Sequence, residues 1–169
     1  AMTRGVSPDG RHYFPVFPYT SYIRTELQDI VDLHAFLNTL PASSTPDPVH
    51  DVSFPFNIRR NLGGWKLLFL RDGWVVQGDL ATDEIRGRYL VEALGHCGEC
   101  HTPRNALGGG VKSRWLAGGP IPGQATGSFP NITPSGLDWS EADIAEYLSS
   151  GFTPDFDSAG GHMALVVRN

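Results

Sequence analysis

The sequence predicts an all-α fold in which helices are joined by long loops. Apolar residues recur at helical spacing in three segments, residues 25–40, 82–94 and 140–150. The 169 residues include 20 glycines and 13 prolines, more than average usage, so much of the backbone is expected to form loops. The long glycine- and proline-rich stretch at residues 102–136 favours a fold that wraps around a cofactor, because compact domains rarely keep such loops without a function.

The first predicted helix begins at a capping box formed by Thr25 and Gln28 and ends before Pro41. Residues 41–53 are rich in Pro, Ser, Thr and Asp and are expected to form a linker, and residues 54–70 a short amphipathic helix. The apolar face expected for the first helix comprises Leu27, Ile30, Val31, Leu33, Phe36, Leu37 and Leu40.

The next predicted helix begins at a Thr82 cap and runs into the two cysteines of the chain. The last begins at Ser140, which forms a capping box with Asp143, and ends at Gly151. The residues expected to face inward from these two helices are Ile85, Tyr89, Leu90, Ala93, Leu94, Ile144, Tyr147 and Leu148.

Charge and hydropathy exclude two classes of partner. The net charge is −5, and no cluster of Lys and Arg larger than pairs such as Arg59–Arg60 is present, which argues against nucleic-acid binding. The longest apolar stretch, residues 54–70, is too short and too charged to span a bilayer. We therefore expect membrane association only through a partner or through a segment outside this sequence.

Residues 97–101 read Cys-Gly-Glu-Cys-His, the C-x-x-C-H pattern of c-type haem attachment. In this pattern the sulfur atoms of Cys97 and Cys100 add to the two vinyl groups of the porphyrin. The adjacent His101 is then held beneath the iron as the proximal ligand. The sequence predicts one covalently attached haem c per chain.

The two cysteines are open to two other interpretations. A thioredoxin-like dithiol normally follows a strand and opens a helix, whereas this pair follows a helical pattern and precedes a loop. A structural zinc site needs four ligands, which would require His96 and His162 to join the cysteines.

A six-coordinate haem also needs a distal ligand, for which methionine is the usual partner of histidine in electron-transfer cytochromes. Met163 follows Gly160, Gly161 and His162, and we predict that it is this ligand. The alternatives are that Met163 fills a gap in the core or that His162 binds the iron. His96 is expected to line the crevice.

The sequence resembles the class I cytochromes c, and more closely the multi-domain cytochrome c subunits of membrane-bound bacterial dehydrogenases. The motifs that carry the resemblance are Gly87-Arg88-Tyr89-Leu90, residues 97–104 (CGECHTPR), residues 130–134 (PNITP), Asp138-Trp139-Ser140 and Gly161-His162-Met163.

The resemblance implies further roles for residues around the haem. The loop that contains Asn131 walls the haem pocket, Arg104 approaches a haem propionate, and Pro120 or Pro122 offers a carbonyl to the ring of His101. With Cys97, Cys100 and Met163, these residues make up the expected cofactor site, with His101 and Met163 as the metal ligands.

The resemblance also implies a division into modules. Residues 1–40 correspond to the end of a preceding cytochrome c-like domain without its own haem motif, in which Phe17 stands where haem-bearing relatives have methionine. Residues 41–79 form a linker and connecting helix, and residues 80–169 the haem-binding domain. That domain is expected to stop before the C-terminal helix of the family, which would leave Gly87 and Tyr89 without their packing partner.

The expected function is electron transfer, from a dehydrogenase to a respiratory acceptor, rather than catalysis on a substrate. Expected partners are a dehydrogenase subunit, other cytochromes or a terminal oxidase, and the expected location is the bacterial periplasm. The alternatives are a haem-based sensor or small-ligand binder with an open sixth site, and a zinc or dithiol interaction module.

Overall fold

The computed structural model describes residues 1–46 and 48–168, and helices are its main regular secondary structure. Two residues lie outside the described residues: Asp47 of the predicted linker and Asn169 at the end of the predicted haem domain. The helices, in chain order, are α1 (Tyr19–Tyr22), α2 (Leu27–Leu37), α3 (Asn61–Phe69), α4 (Thr82–Tyr89), α5 (Gly98–His101), α6 (Glu141–Ser150) and α7 (Gly161–Arg168). The helical character predicted from the sequence is confirmed.

Helix α4 continues directly into a π-helical stretch, Leu90–Leu94, which packs against α1. Between α5 and α6 the chain forms a single 3₁₀ turn at Lys112–Arg114 and an antiparallel pair of two-residue strands, β1 (Gly119–Pro120) and β2 (Ser128–Phe129). Residues 102–136 are therefore mostly loop, as the composition predicts.

The core lies where α1, α3 and the π-helical stretch meet. Tyr19 and Ala93 are fully buried, and Leu62 and Tyr89 nearly so. Gly5 has φ +56° and lies directly over the Tyr19 ring, where a Cβ would overlap the ring. The chain can approach Tyr19 this closely because glycine has no side chain and adopts positive φ readily.

Helix α2 differs from its prediction at its start and along its face. The Thr25–Gln28 capping box is wrong: Glu26 is the N-cap residue, and Gln28 donates to Asp32. The predicted apolar face is largely uncovered, since Leu27, Phe36 and others remain more than a third exposed; these are Leu27, Val31, Leu33, Phe36, Leu37 and Leu40.

The predictions for α6 and α4 are also confirmed in some features and wrong in others. Helix α6 begins at the predicted capping box, in which Ser140 Oγ accepts from Asp143 N–H, and ends at Gly151 with φ +83°. Helix α4 is capped one residue earlier than predicted, because Glu84 accepts from the backbone N–H of Ala81. The residues expected to face inward but found exposed are Ile85, Leu90, Ile144 and Leu148.

The N-terminal part of the chain packs against the segment that carries the cysteines. The hydroxyl of Tyr89 donates to Asp29 and accepts from the N–H of Glu26 at 3.0 Å. The side chains of Arg24 and Glu92 are 5% and 1% exposed and approach to 3.8 Å. Tyr89, whose partner the family comparison placed in a C-terminal helix, is thus held by residues near α2.

None of the helices in the described part of the chain combines the length and apolar character that crossing a bilayer requires.

Candidate haem-attachment site

The cysteines lie on a single helical turn. After the π-helical stretch, His96 adopts φ +42° and redirects the chain, so that Cys97 becomes the N-cap residue of α5. Cys97, Cys100 and His101 occupy positions i, i+3 and i+4, which share one face of a helix. Both cysteines are free thiols; Cys97 is half-buried and Cys100 exposed. The turn therefore presents two thiols and an imidazole on one side.

The His101 ring is buried and held by a backbone carbonyl. Its Nδ1 lies 2.9 Å from the carbonyl oxygen of Pro130, and because a carbonyl can only accept, Nδ1 carries the proton. Nε2 is then the nitrogen with a free lone pair, the arrangement found in histidines that bind metals. The expectation that Pro120 or Pro122 supplies this carbonyl is wrong, because β2 leads directly into Pro130 and places that residue beneath the ring.

The chain that follows His101 is also held by hydrogen bonds. The carbonyl of His101 accepts from Gly118 N–H at 2.7 Å, and Thr102 Oγ1 accepts from Leu116 N–H at 3.1 Å. The loop that follows the cysteines is thereby fastened to the turn that carries them. Position and tautomer of the imidazole are set by the protein itself.

Burial raises the pKa of both thiols above their usual value. At Cys100 the nearby Arg104 guanidinium opposes this rise in pKa. Both cysteines are accordingly thiols at neutral pH, and thiolate chemistry such as that of dithiol oxidoreductases is not favoured here.

The residues present fit a haem c attached at this turn. Two unpaired thiols and an imidazole with its Nε2 lone pair free are the protein groups that such attachment uses. Within residues 1–46 and 48–168, no three or more His, Cys, Asp and Glu side chains are arranged to hold a metal ion. Neither His96 nor His162 joins the cysteines in a four-ligand cluster of the kind that the zinc interpretation requires.

The segment that carries Met163 is brought near His101 by one aromatic side chain. The ring of Phe129 lies 6.0 Å from the ring of His101 and 5.8 Å from that of His162, centroid to centroid. Met163 is the next residue, half-buried on the first turn of α7. The glycines before it thus begin a helix rather than a free loop, and the ligand role of Met163 stays a prediction.

Arg104 and Asn131 are each occupied by protein groups. Arg104 forms an ion pair with Glu99 at 2.7 Å and donates to the carbonyls of Glu99 and Gly108. Asn131 Oδ1 accepts from the N–H and hydroxyl of Thr133, which shapes the loop beneath His101. Their contacts with haem stay predictions.

Sequence analysis missed Glu99, which lies between the two cysteines. Its carboxylate accepts hydrogen bonds from the hydroxyls of Thr20 and Ser21 in α1 and pairs with Arg104. The turn is therefore tied to α1 across 79 residues of sequence. No local pattern signals a contact of this range.

No family model matches the chain. A protein named diheme cytochrome c-type, from Cereibacter sphaeroides, is 66% identical over 169 residues, all of this chain and 57% of that protein. The fructose dehydrogenase cytochrome subunit of Gluconobacter japonicus is 38% identical over 95% of this chain and 34% of its own length. The alcohol dehydrogenase (quinone) cytochrome c subunit of Gluconobacter oxydans is 35% identical over 99% of this chain and 37% of its own length.

This chain thus spans little more than half of the first relative and about a third of the other two. Their names describe cytochromes and cytochrome subunits rather than catalytic subunits. The chain is therefore a homologue of the diheme and dehydrogenase-subunit cytochromes c, the class that its motifs predict.

Proposed function

We propose that this chain holds one covalently attached haem c and passes single electrons. The observation that carries the proposal is the α5 turn, where two free thiols share a face with a buried imidazole whose Nε2 lone pair is free. The names of the relatives support the class of cofactor. A single C-x-x-C-H motif in the sequence supports one haem for this chain, whereas the longer diheme relative carries two by its name.

Each residue of the turn has a definite task. Cys97 and Cys100 would hold the haem through two thioether links, which form when each S–H adds across a vinyl double bond and which leave no by-product. His101 would bind the iron through Nε2, and the Pro130 carbonyl fixes the ring and increases its basicity. When bound, the haem supplies an iron that alternates between the ferric and ferrous states.

Met163 is proposed as the distal ligand. The Phe129 contacts support this assignment because they bring the first turn of α7 toward the ring of His101. A thioether ligand raises the reduction potential, and a filled sixth position favours electron transfer over the binding of small ligands.

A dehydrogenase is the proposed electron donor, and a respiratory cytochrome or oxidase the acceptor. The proposal is supported by relatives named as cytochrome subunits of fructose and alcohol dehydrogenases. A periplasmic location follows if the haem is attached by the bacterial machinery that works outside the cytoplasm.

The haem assignment is tested on protein produced together with haem-attachment machinery. We expect the mass of one haem on the intact chain and a c-type band in the pyridine haemochrome spectrum. A Cys97→Ala, Cys100→Ala double variant made in the same cells should lack both. Unmodified wild-type mass, with a known cytochrome c matured alongside as a positive control, would contradict the proposal.

The distal ligand is tested by replacing each methionine of the sequence in turn. Met163→Leu should remove the thioether-to-iron charge-transfer band and allow the reduced protein to bind carbon monoxide. Met2→Leu is the matched control and should leave both properties as in the wild type. Carbon monoxide binding to the wild-type protein would instead support the sensor or small-ligand binder with an open sixth site.

A further inference from the structure

A cavity of about 370 Å³ lies behind the cysteine-bearing turn. Gly98, Glu99 and Thr102 line it, at positions i+1, i+2 and i+5 from Cys97. Gly98 and Glu99 point away from the side of the turn that carries the thiols and the imidazole, and Thr102 follows the turn in extended conformation. Residues of α1 and α3 line its far side, and the cavity shares Arg104 with the expected haem-site residues but none of the attachment residues Cys97, Cys100 and His101.

Cationic side chains predominate in its lining. Four cations line the cavity, against a single carboxylate, Glu99, among the described lining residues; the cations are Arg24, Arg71, Arg104 and Lys112. Arg104 pairs with Glu99, and Arg24 lies 3.8 Å from Glu92 behind the wall. The exposed Asp72 also acts on Arg24.

Arg71 and Lys112 form no ion pair within the described parts of the chain. Burial lowers the pKa of Lys112, and the positive charges of Arg24 and Arg71 lower it further against the opposing effect of Glu92. Lys112 thus lies near two further positive charges, which Glu92 offsets only in part. Negative charge brought to this place would be stabilised.

The remaining walls are apolar and aromatic. Trp65, Leu68, Phe69 and Trp115 line the cavity, and the rings of Trp65 and Phe69 lie 5.0 Å apart. The indole N–H of Trp115 is buried and has no hydrogen-bond partner among the described residues. Pockets for small molecules commonly have this composition, with apolar walls and a few convergent polar groups.

We propose that this cavity binds a small organic oxyanion with an aromatic body. Arg71 and Lys112 hold the carboxylate or similar group, and the aromatic part lies against Trp65 and Phe69. The cations explain the charge of the ligand and the rings explain its shape. Such a ligand would lie directly behind the turn that bears the cysteines.

Isothermal titration calorimetry with 2-naphthoate tests the proposal on the full chain in its matured form. We expect saturable binding of 2-naphthoate and little or none of its neutral counterpart, 2-naphthamide. An Arg71→Gln, Lys112→Gln double variant should bind 2-naphthoate at least about tenfold more weakly, because it loses two charged donors.

The matched control is an Arg60→Gln, Arg114→Gln double variant. It removes the same net charge from exposed residues that do not line the cavity. It should bind 2-naphthoate as the wild type does. Equal weakening in both double variants, equal binding of the amide, or no saturable heat would overturn the proposal. Because the readout is heat, the outcome does not depend on whether haem is attached.

Discussion

Gly98, the first residue between the cysteines, lies where a methyl group has no room. A Cβ at this position would overlap the ring of Trp115, whereas a Cβ at Gly87 in α4 would meet nothing within 4 Å. The contrast matters because the family resemblance assigns Gly87, rather than Gly98, a packing role.

Gly98→Ala should therefore lower the free energy of unfolding by about 1–3 kcal/mol, the usual cost of overpacking. Gly87→Ala should raise it by about 0.5–1 kcal/mol, because alanine favours the helix and nothing obstructs its methyl group. Urea unfolding of both variants measures these changes. A loss of stability in Gly87→Ala would show that α4 packs against a partner the described residues do not include.

Lys66 is a buried cation that binds the N-terminal loop to α3. Its ammonium donates to the carbonyls of Arg4 and Gly5 and lies 4.6 Å from the centroid of the Tyr19 ring. Lys66→Met keeps the apolar stem and should lower the free energy of unfolding by about 2 kcal/mol, since the buried carbonyl of Gly5 and the part-buried carbonyl of Arg4 lose a charged donor. Arg60→Met, at an exposed site, should change it by less than about 0.5 kcal/mol.

The same lysine makes stability depend on pH at the alkaline end. Burial lowers the pKa of Lys66 below its usual value of 10.5. Between the lowered pKa and 10.5 the unfolded chain binds more protons than the folded one, so the free energy of unfolding gains a term that rises with pH. The difference in stability between wild type and Lys66→Met should widen across this window, and a constant difference would refute the account.

At the scale of elements, α5 is tied to α1 by the carboxylate of Glu99. A double-mutant cycle isolates this contact, with Thr20→Val and Glu99→Met as the single changes. We expect a coupling energy of about 1–2 kcal/mol from urea unfolding. A cycle of Glu99→Met with Ser135→Ala, a residue without a contact to Glu99, should give a value near zero. Equal coupling energies in both cycles would contradict a specific contact between Thr20 and Glu99.

Local signals in the sequence predict where helices begin and end better than they predict what packs against those helices. The Ser140–Asp143 box and the stop at Gly151 are formed because their partners lie within one or two turns. The α2 cap failed because Gln28 pairs forward with Asp32 rather than back to the start of the helix. The apolar residues of α2 do share one face of the helix, but that face is largely exposed, because periodicity does not say what covers it.

The site shows the same division. Cys97, Cys100 and His101 are adjacent in the chain, and helical spacing alone puts them on one face. The carbonyl partner of His101 depends on where β2 places Pro130, 29 residues away, and the resemblance pointed to the wrong prolines. Partners so distant in sequence are brought together by tertiary packing, which local sequence patterns do not reveal.

At the scale of the whole molecule, the N-terminal and cysteine-bearing segments are joined through buried polar contacts. Arg24 approaches Glu92, Thr20 donates to Glu99, and Tyr89 donates to Asp29. The division into residues 1–40, 41–79 and 80–169 stays a prediction about ancestry. Physically, the first and third of these segments should unfold together.

Arg24→Met tests this connection. The change leaves the buried Glu92 carboxylate with only the N–H groups of Val75 and Val76, and should cost about 3 kcal/mol. Circular dichroism and tryptophan fluorescence should still report one coincident transition, at lower urea concentration. Two separate transitions in the wild type would show that the segments are independent.

Neither residue between the cysteines can be substituted without affecting its neighbours. Gly98 leaves space that the Trp115 ring fills. Glu99 accepts a hydrogen bond from Thr20 and forms an ion pair with Arg104. Transplanting the five-residue motif of another cytochrome into this chain should thus fail to restore native stability unless positions 20, 104 and 115 are exchanged with it. A pentapeptide that looks self-sufficient in the sequence is in contact with side chains from three other parts of the molecule.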